Sequence, residues 1–259
     1  MRSWLPVALG AALLLGGCGA RLEPAAGAQV PAPTPQAQGP LAGRVIVLDP
    51  GHGSHTGEHS AAGNWEDDNV FAIAQDAAPL LTALGASVHL TRTTPEILGD
   101  LATTDLSTRV AEATAWHADV FVSIHQNYVN GAPDITGGET FWSNADSQAL
   151  ATDLQAALVT GTGLLDRHTD SAPYWVIACN PMPAALIEGG FLSNADEAGE
   201  ISAPGFQERE AQAITSGLEK YLSTPGAVVG AQPLTGQNKY MCASMDPAQA
   251  NTWLRQQGS

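Results

Sequence analysis

Positive charge is the scarcest resource of this chain. Its 259 residues carry 10 Lys+Arg against 26 Asp+Glu, a formal charge of −16, and a field of that sign repels nucleic acid and anionic membrane surfaces. DNA and RNA binding are therefore excluded as expectations. Charged residues in total make up only 14%, while 44% are hydrophobic, so the chain is too apolar to be disordered and can bury one good-sized core. A long hydrophobic run is also missing. The most apolar stretch, Leu5 to Leu15, falls short of the roughly 20 residues that span a bilayer. No Gly-x-Ser-x-Gly elbow occurs, and cysteine is limited to Cys18, Cys179 and Cys242. Cys179 sits in an apolar stretch without a basic neighbour to form its thiolate. Serine and cysteine nucleophiles are thereby disfavoured.

What is present begins with a leader. Arg2 gives a positive start, Leu5 to Leu15 an apolar segment, and Leu15-Gly16-Gly17-Cys18 a close of small residues, the order of an export signal. Leu-Gly-Gly-Cys resembles the lipobox of bacterial lipoproteins. Residues 1–17 then form the signal peptide and Cys18 the lipid-bearing mature N-terminus, the alternative being an ordinary signal cleaved near Ala20. Residues 18–43 are rich in Ala, Pro, Gln and Gly and cannot offset their ordering entropy. They read as a tether reaching up to roughly 70 Å if extended.

Residues 44–223 read as the folded domain. Arg44 to Asp49 is a β-branched apolar run stopped by Pro50-Gly51, the pattern of a buried strand. Apolar residues from Val70 to Leu84 recur at helical spacing and end at Gly85, predicting a helix from Glu66. Ser87–Thr91 reads as a strand, Leu106–His117 as a helix, Asp119–Ile124 as a buried strand, Glu139–Trp142 as a strand and Ser147–Val159 as a helix. Strand-like pieces around Tyr174–Ala178 and Ala184–Ile187 precede a helix over Phe206–Leu222. The alternation predicts an α/β single domain, a mostly parallel twisted sheet flanked by helices, with its active site at the strand carboxyl ends. His52, His125 and Glu188 all fall at such ends.

Zinc hydrolases bind their ion through neutral imidazoles and a carboxylate, and leave one position open. His52, Glu66 and His125 have that chemistry. Their contexts sharpen the reading. Val45 to Gly53, Glu66 fourteen positions after His52, Thr91-Arg92 with Arg109, Ser123-Ile124-His125-Gln126-Asn127, and Ala184 to Asn194 follow one another in an order that resembles the zinc-dependent N-acetylmuramoyl-L-alanine amidases of the third type. The resemblance implies His52, Glu66 and His125 as zinc ligands, Glu188 as acid-base residue, and peptidoglycan as substrate, in turnover, division or recycling of the wall. It also matches Asn127, Glu139 and Arg167 to recurrent positions that orient substrate or ligands. Two rivals share these features: a zinc carboxypeptidase acting on wall peptides, and a wall-binding lipoprotein without activity.

The loop after His52 departs from the family, reading Ser54-His55-Thr56-Gly57-Glu58-His59-Ser60. His55, Glu58 and His59 are capable ligands, so one of them could replace Glu66 or build a second, weaker site. Trp65, Trp142, Tyr174 and Trp175 lie near the motifs, with Trp142 and Trp175 reading as core. Once Cys18 carries lipid, Cys179 and Cys242 have only each other to pair with in an oxidising compartment, and a bridge between them is expected to hold the tail near the cleft. Residues 224–259 form a C-terminal extension: a loose connection to Gly236, then a helix opened by Asp246-Pro247 over Ala248–Leu254.

Overall fold

The computed structural model describes residues 38–96 and 105–244. The signal, Cys18, most of the tether and the helix expected over Ala248–Leu254 lie outside these residues. Six strands form one sheet: β1 (Val45–Pro50), β2 (Ser87–Leu90), β3 (Val120–Asn127), β4 (Gly138–Trp142), β5 (Asp166–Ser171) and β6 (Ala184–Phe191). Their order is β2-β1-β3-β6-β4-β5. All neighbours pair in parallel except β4 with β6, which run antiparallel.

The β-branched runs occupy the middle. Ile46, Val47 and Leu48 of β1 and Val120, Phe121 and Val122 of β3 are all fully buried, as central strands covered on both faces must be. Helices α1 (Glu66–Ala83), α3 (Gln148–Thr162) and α6 (Pro204–Ser223) cover one face. Helices α2 (Asp105–Ala115) and α4 (Trp175–Ala178) cover the other. Full burial of each Leu, Ile or Val is worth roughly 1.5–3 kcal/mol, so this double layer fixes the sheet register. The first turn of α1 holds Glu66, Asp67 and Asp68, three acids where the helix dipole favours negative charge.

Three expectations are corrected. The run Tyr174–Ala178 is not a strand but opens the one-turn α4, with Ala178 N–H donating to the Tyr174 carbonyl and Cys179 N–H to that of Trp175. A short apolar run buried all round fits either state, and periodicity does not separate them. The tether is shorter than the sequence suggests, because Leu41 is fully buried and its N–H donates to the Leu84 carbonyl. The connection after α6 is also less loose than its composition: Ala227 and Val229 pack on the core, the Tyr221 hydroxyl donates to the Val228 carbonyl, and the Gly230 and Gln232 N–H groups donate to the carbonyls of Asp119 and Pro181.

Composition hid three elements. β5 is a polar, largely exposed edge strand, so it lacks the alternation that marks a half-buried one. α5 (Ala195–Ile201) is short and is started by Asn194, whose Oδ1 accepts from Asp196 and Glu197 N–H. α7 (Gly236–Ser244) buries no residue fully. It is joined to α4 by a Cys179–Cys242 disulfide with Cα atoms 5.5 Å apart, which packs Met241 and Cys242, like Leu106, against the cluster of Trp175 and Cys179.

Candidate active site

Reversal of β4 matters to the site. Because it runs against β6, its first residues reach the same rim as the carboxyl ends of β1, β3 and β6. His52 follows β1, His125 and Asn127 close β3, Glu188 lies late in β6 and Glu139 early in β4. Backbone register sets His125 beside Glu188 and Glu188 beside Glu139. Glu66, at the start of α1, completes the group.

Glu66 is the hub. Its Oε1 lies 2.8 Å from His125 Nδ1 and accepts from the Gln126 N–H at 3.2 Å. Its Oε2 lies 3.2 Å from His52 Nε2 and accepts from the Glu58 N–H. The two imidazoles meet edge to face with centroids 4.9 Å apart. Burial works against the Glu66 charge, yet His52 and His125 more than offset it and hold the carboxyl below its usual range. Burial likewise opposes a charge on His52, but Glu66 raises that imidazole above its ordinary value. The three potential donor atoms lie within 4.8 Å of one another, and this is the one such group among the described residues. Two imidazoles and a carboxylate converging this closely fit a divalent zinc-type ion.

The backbone at His52 is strained, with φ of 54°, and two buried arginines hold it there. Arg109 donates to the His52 carbonyl at 2.6 Å, to the Pro50 carbonyl at 2.9 Å and to Asp49 Oδ1 at 2.7 Å. Arg92 donates to the carbonyls of Pro50, Gly51, Asp67 and Thr94. Asp49, itself buried, also accepts from Thr91 and Ser123 hydroxyls. Burial opposes its charge, but Arg109 and these hydroxyls keep its carboxyl below the usual range. Gly51 lets the ring of His125 come close: a Cβ there would lie 2.2 Å from His125 Cε1, so any side chain would displace that histidine.

The rewritten loop supplies no rival ligand side chain. Glu58 touches Glu66 only through its main chain, with Glu66 N–H donating to the Glu58 carbonyl at 3.0 Å, and its own side chain is exposed. His55 stacks on Trp65 at 4.6 Å and pairs with Asp68, while His59 tilts against Trp65 at 4.5 Å. Trp65 is thus held by the two histidines. Trp142 and Trp175 pack in the core, as expected.

Glu188 stands apart from this hydrogen-bonded cluster. Its Oε2 is buried and has no hydrogen-bond partner. Burial, followed by the charges of Glu66, Glu139 and Glu210, pushes its pKa well above the ordinary carboxylate value. A carboxyl whose pKa is raised toward neutrality by burial and neighbouring acids is suited to exchange protons in acid-base work. Beside it, Asn127 donates to Glu139 Oε1 at 2.8 Å and Arg167 Nε to Glu139 Oε2 at 3.3 Å. Arg167 also lies over the Phe191 ring. Asn127, Glu139 and Arg167 therefore form one polar chain flanking Glu188.

Asp49, Arg92 and Arg109 as clamps, the buried Glu210 and the nearby Tyr174 were not singled out from the sequence for these roles. An Arg in so acidic a chain was the available signal for the clamps.

Comparison with known proteins agrees with this geometry. Residues 46–220 match the N-acetylmuramoyl-L-alanine amidase family profile. The uncharacterised protein YqiI of Bacillus subtilis is 32% identical over 194 residues, covering 73% of this chain and 90% of its own. N-acetylmuramoyl-L-alanine amidase LytC of the same organism is 32% identical over 190 residues, 72% of this chain, which spans 37% of that relative's length. The catalytic domain of the amidase CwlV from Bacillus (Paenibacillus) polymyxa superposes with a TM-score of 0.64 at 34% identity, covering 69% of this chain and 98% of that one. The chain belongs to the N-acetylmuramoyl-L-alanine amidase family.

Proposed function

We propose that this chain is a zinc-dependent peptidoglycan amidase that hydrolyses the bond between the lactyl group of N-acetylmuramic acid and L-alanine. The observation that carries the reading is the meeting of His52, Glu66 and His125 on one rim with Glu188, whose buried Oε2 has no partner, one strand away. His52, Glu66 and His125 would hold the ion, with Gln126 and Glu58 N–H groups fixing the Glu66 carboxylate. Zinc, when bound, supplies Lewis acidity toward the scissile carbonyl and the attacking water. Glu188 takes a proton from that water and delivers one to the leaving amine. Asn127, Glu139 and Arg167 orient the substrate beside it.

Mass spectrometry of digested cell walls tests the activity. Free stem peptides with intact glycan support it, and loss of single terminal residues would instead make the chain a carboxypeptidase. An absence of both zinc and release would leave a wall-binding protein.

The ligand assignment has its own test. His52→Ala, His125→Ala and Glu66→Ala are each expected to lower zinc per chain, measured by elemental analysis, whereas Glu58→Ala is expected to leave it unchanged because only its main chain touches Glu66. Metal lost from Glu58→Ala and retained in Glu66→Ala would reverse the assignment.

The family's cell-wall enzymes act outside the cytoplasm, and among the described residues no helix is long and apolar enough to cross a membrane. We further propose that the chain is lipid-anchored through Cys18, on the strength of Leu15-Gly16-Gly17-Cys18 after its apolar segment. Fatty-acid labelling that persists in Cys18→Ser would refute the anchor.

A further inference from the structure

Tyr174 caps the start of α4 on the face of the sheet that Glu188 shares. Its ring meets Phe141 edge-on, with centroids 5.2 Å apart and planes at 82°. Phe141 pairs with Leu186, and two residues away on each strand Glu139 pairs with Glu188. Side chains two apart on a strand share a face, so the phenol stands one step below the two carboxylates. Their charges reach it: burial first, then Glu188 and Glu139, push its pKa up to about 12. The hydroxyl stays a neutral donor at any working pH.

That donor has no acceptor within the described residues. Both Glu139 oxygens are engaged, by Asn127 and Arg167, and the Glu188 Oε2 has no partner either. The hydroxyl is not among the buried unpartnered atoms, so it is open to solvent and to a bound ligand; for packing on Phe141 alone, phenylalanine would suffice. An open hydroxyl one step below the acid-base carboxyl is placed to meet a polar group of the substrate.

Strand order says which part of the substrate. The ligand histidines belong to β1 and β3, Glu188 to β6 and Phe141 to β4, so Tyr174 lies across Glu188 from the metal ligands. With the scissile carbonyl directed to the ligand side and the leaving nitrogen at Glu188, the atoms beyond that nitrogen extend toward β4. The first acceptor they offer is the carbonyl of the L-alanyl residue. We propose that the Tyr174 hydroxyl donates a hydrogen bond to this carbonyl and so selects a peptide, rather than a simple amine, as leaving group. The inference rests on the amidase reading of the site and names the leaving-group side of its substrate.

Tyr174→Phe keeps the Phe141 contact and removes only the hydroxyl. On the zinc-loaded protein, kcat/KM for a muramoyl peptide is expected to fall about tenfold, the value of one hydrogen bond. Zinc per chain and melting temperature should not change, and a muramoyl amide of a plain alkylamine should be cut equally well by both proteins. Equal loss on both substrates, or none on the peptide, overturns the proposal. Binding of the uncleaved muramoyl peptide to Glu188→Gln, with and without Tyr174→Phe, separates the two readings. Weaker binding on loss of the hydroxyl, in a protein whose parent shows no turnover, keeps the contact and removes the amidase. Normal turnover with unchanged binding removes the contact alone.

Discussion

Glu188→Gln is expected to lower turnover of a muramoyl peptide by roughly 10²- to 10⁴-fold, the usual worth of a positioned acid-base group, while zinc per chain stays at the parent level. Glutamine matches glutamate in size, and the Glu188 Oε2 gives up no hydrogen bond in the exchange. The strand pairing of residue 188 with His125 and Glu139 is made by the backbone and is indifferent to the side chain. What disappears is the proton. Activity measured alongside metal content therefore separates chemistry from assembly, and activity within a factor of about three of the parent would sink the role given to Glu188.

The second large effect concerns stability. Glu210, on α6, is fully buried, neither of its oxygens has a partner, and its carboxyl lies against Gly189, where a Cβ would come within 2.2 Å of Oε1. Burial pushes its pKa up from 4.5 to about 8. An acid whose folded pKa is raised binds more protons folded than unfolded, so stability falls as pH rises from about 4.5 to about 8 and then levels off. A shift of this size corresponds to a penalty on the order of 5 kcal/mol above that window, at about 1.4 kcal/mol per unit. Glu210→Met, apolar and similar in length, removes both the charge and the orphaned carboxyl. Denaturant unfolding is expected to show a more stable variant whose advantage is several kcal/mol larger at pH 8 than at pH 5. An advantage of the same size at both pH values would mean that Glu210 does not carry the linkage.

The legible parts of the molecule were those written in side chains with one dominant physical use. The β-branched runs of β1 and β3 declared buried strands because only cover on both faces suits them. His52, His125 and Glu188 could be placed on one rim because strand ends in an α/β sheet gather there, whereas Glu66, at a helix start, came only from its fourteen-residue spacing after His52. The pairing of Cys179 with Cys242 followed from the lack of any other partner, and the structure contains that bond. The illegible parts depended on context. β5 is held by pairing with β4 alone, so its residues carry no apolar signature, and Trp175 to Ala178 would pack equally well as strand or helix. Direction was hidden too: nothing in Glu139–Trp142 tells that β4 runs backward, yet that reversal brings Glu139 to Glu188. Glu210 could not be read as buried from its type, because buried unpaired carboxylates are rare.

The arginine clamps bear on how this loop can vary among related chains. Arg92 and Arg109 grip carbonyls of Pro50, Gly51, His52, Asp67 and Thr94, atoms that any residue provides. Holding His52 in place therefore asks little of the side chains that follow it. Selection is left to act on geometry alone: Gly53 at φ 132°, and Gly57, where a Cβ would press within 3.1 Å of both Glu66 and His52. Between those two glycines Ser54 donates to Glu96 and His55 stacks on Trp65 beside Asp68, contacts that none of the three donor groups shares. A histidine-rich loop therefore surrounds the site while its side chains hold Trp65, Asp68 and Glu96 rather than the three donor groups.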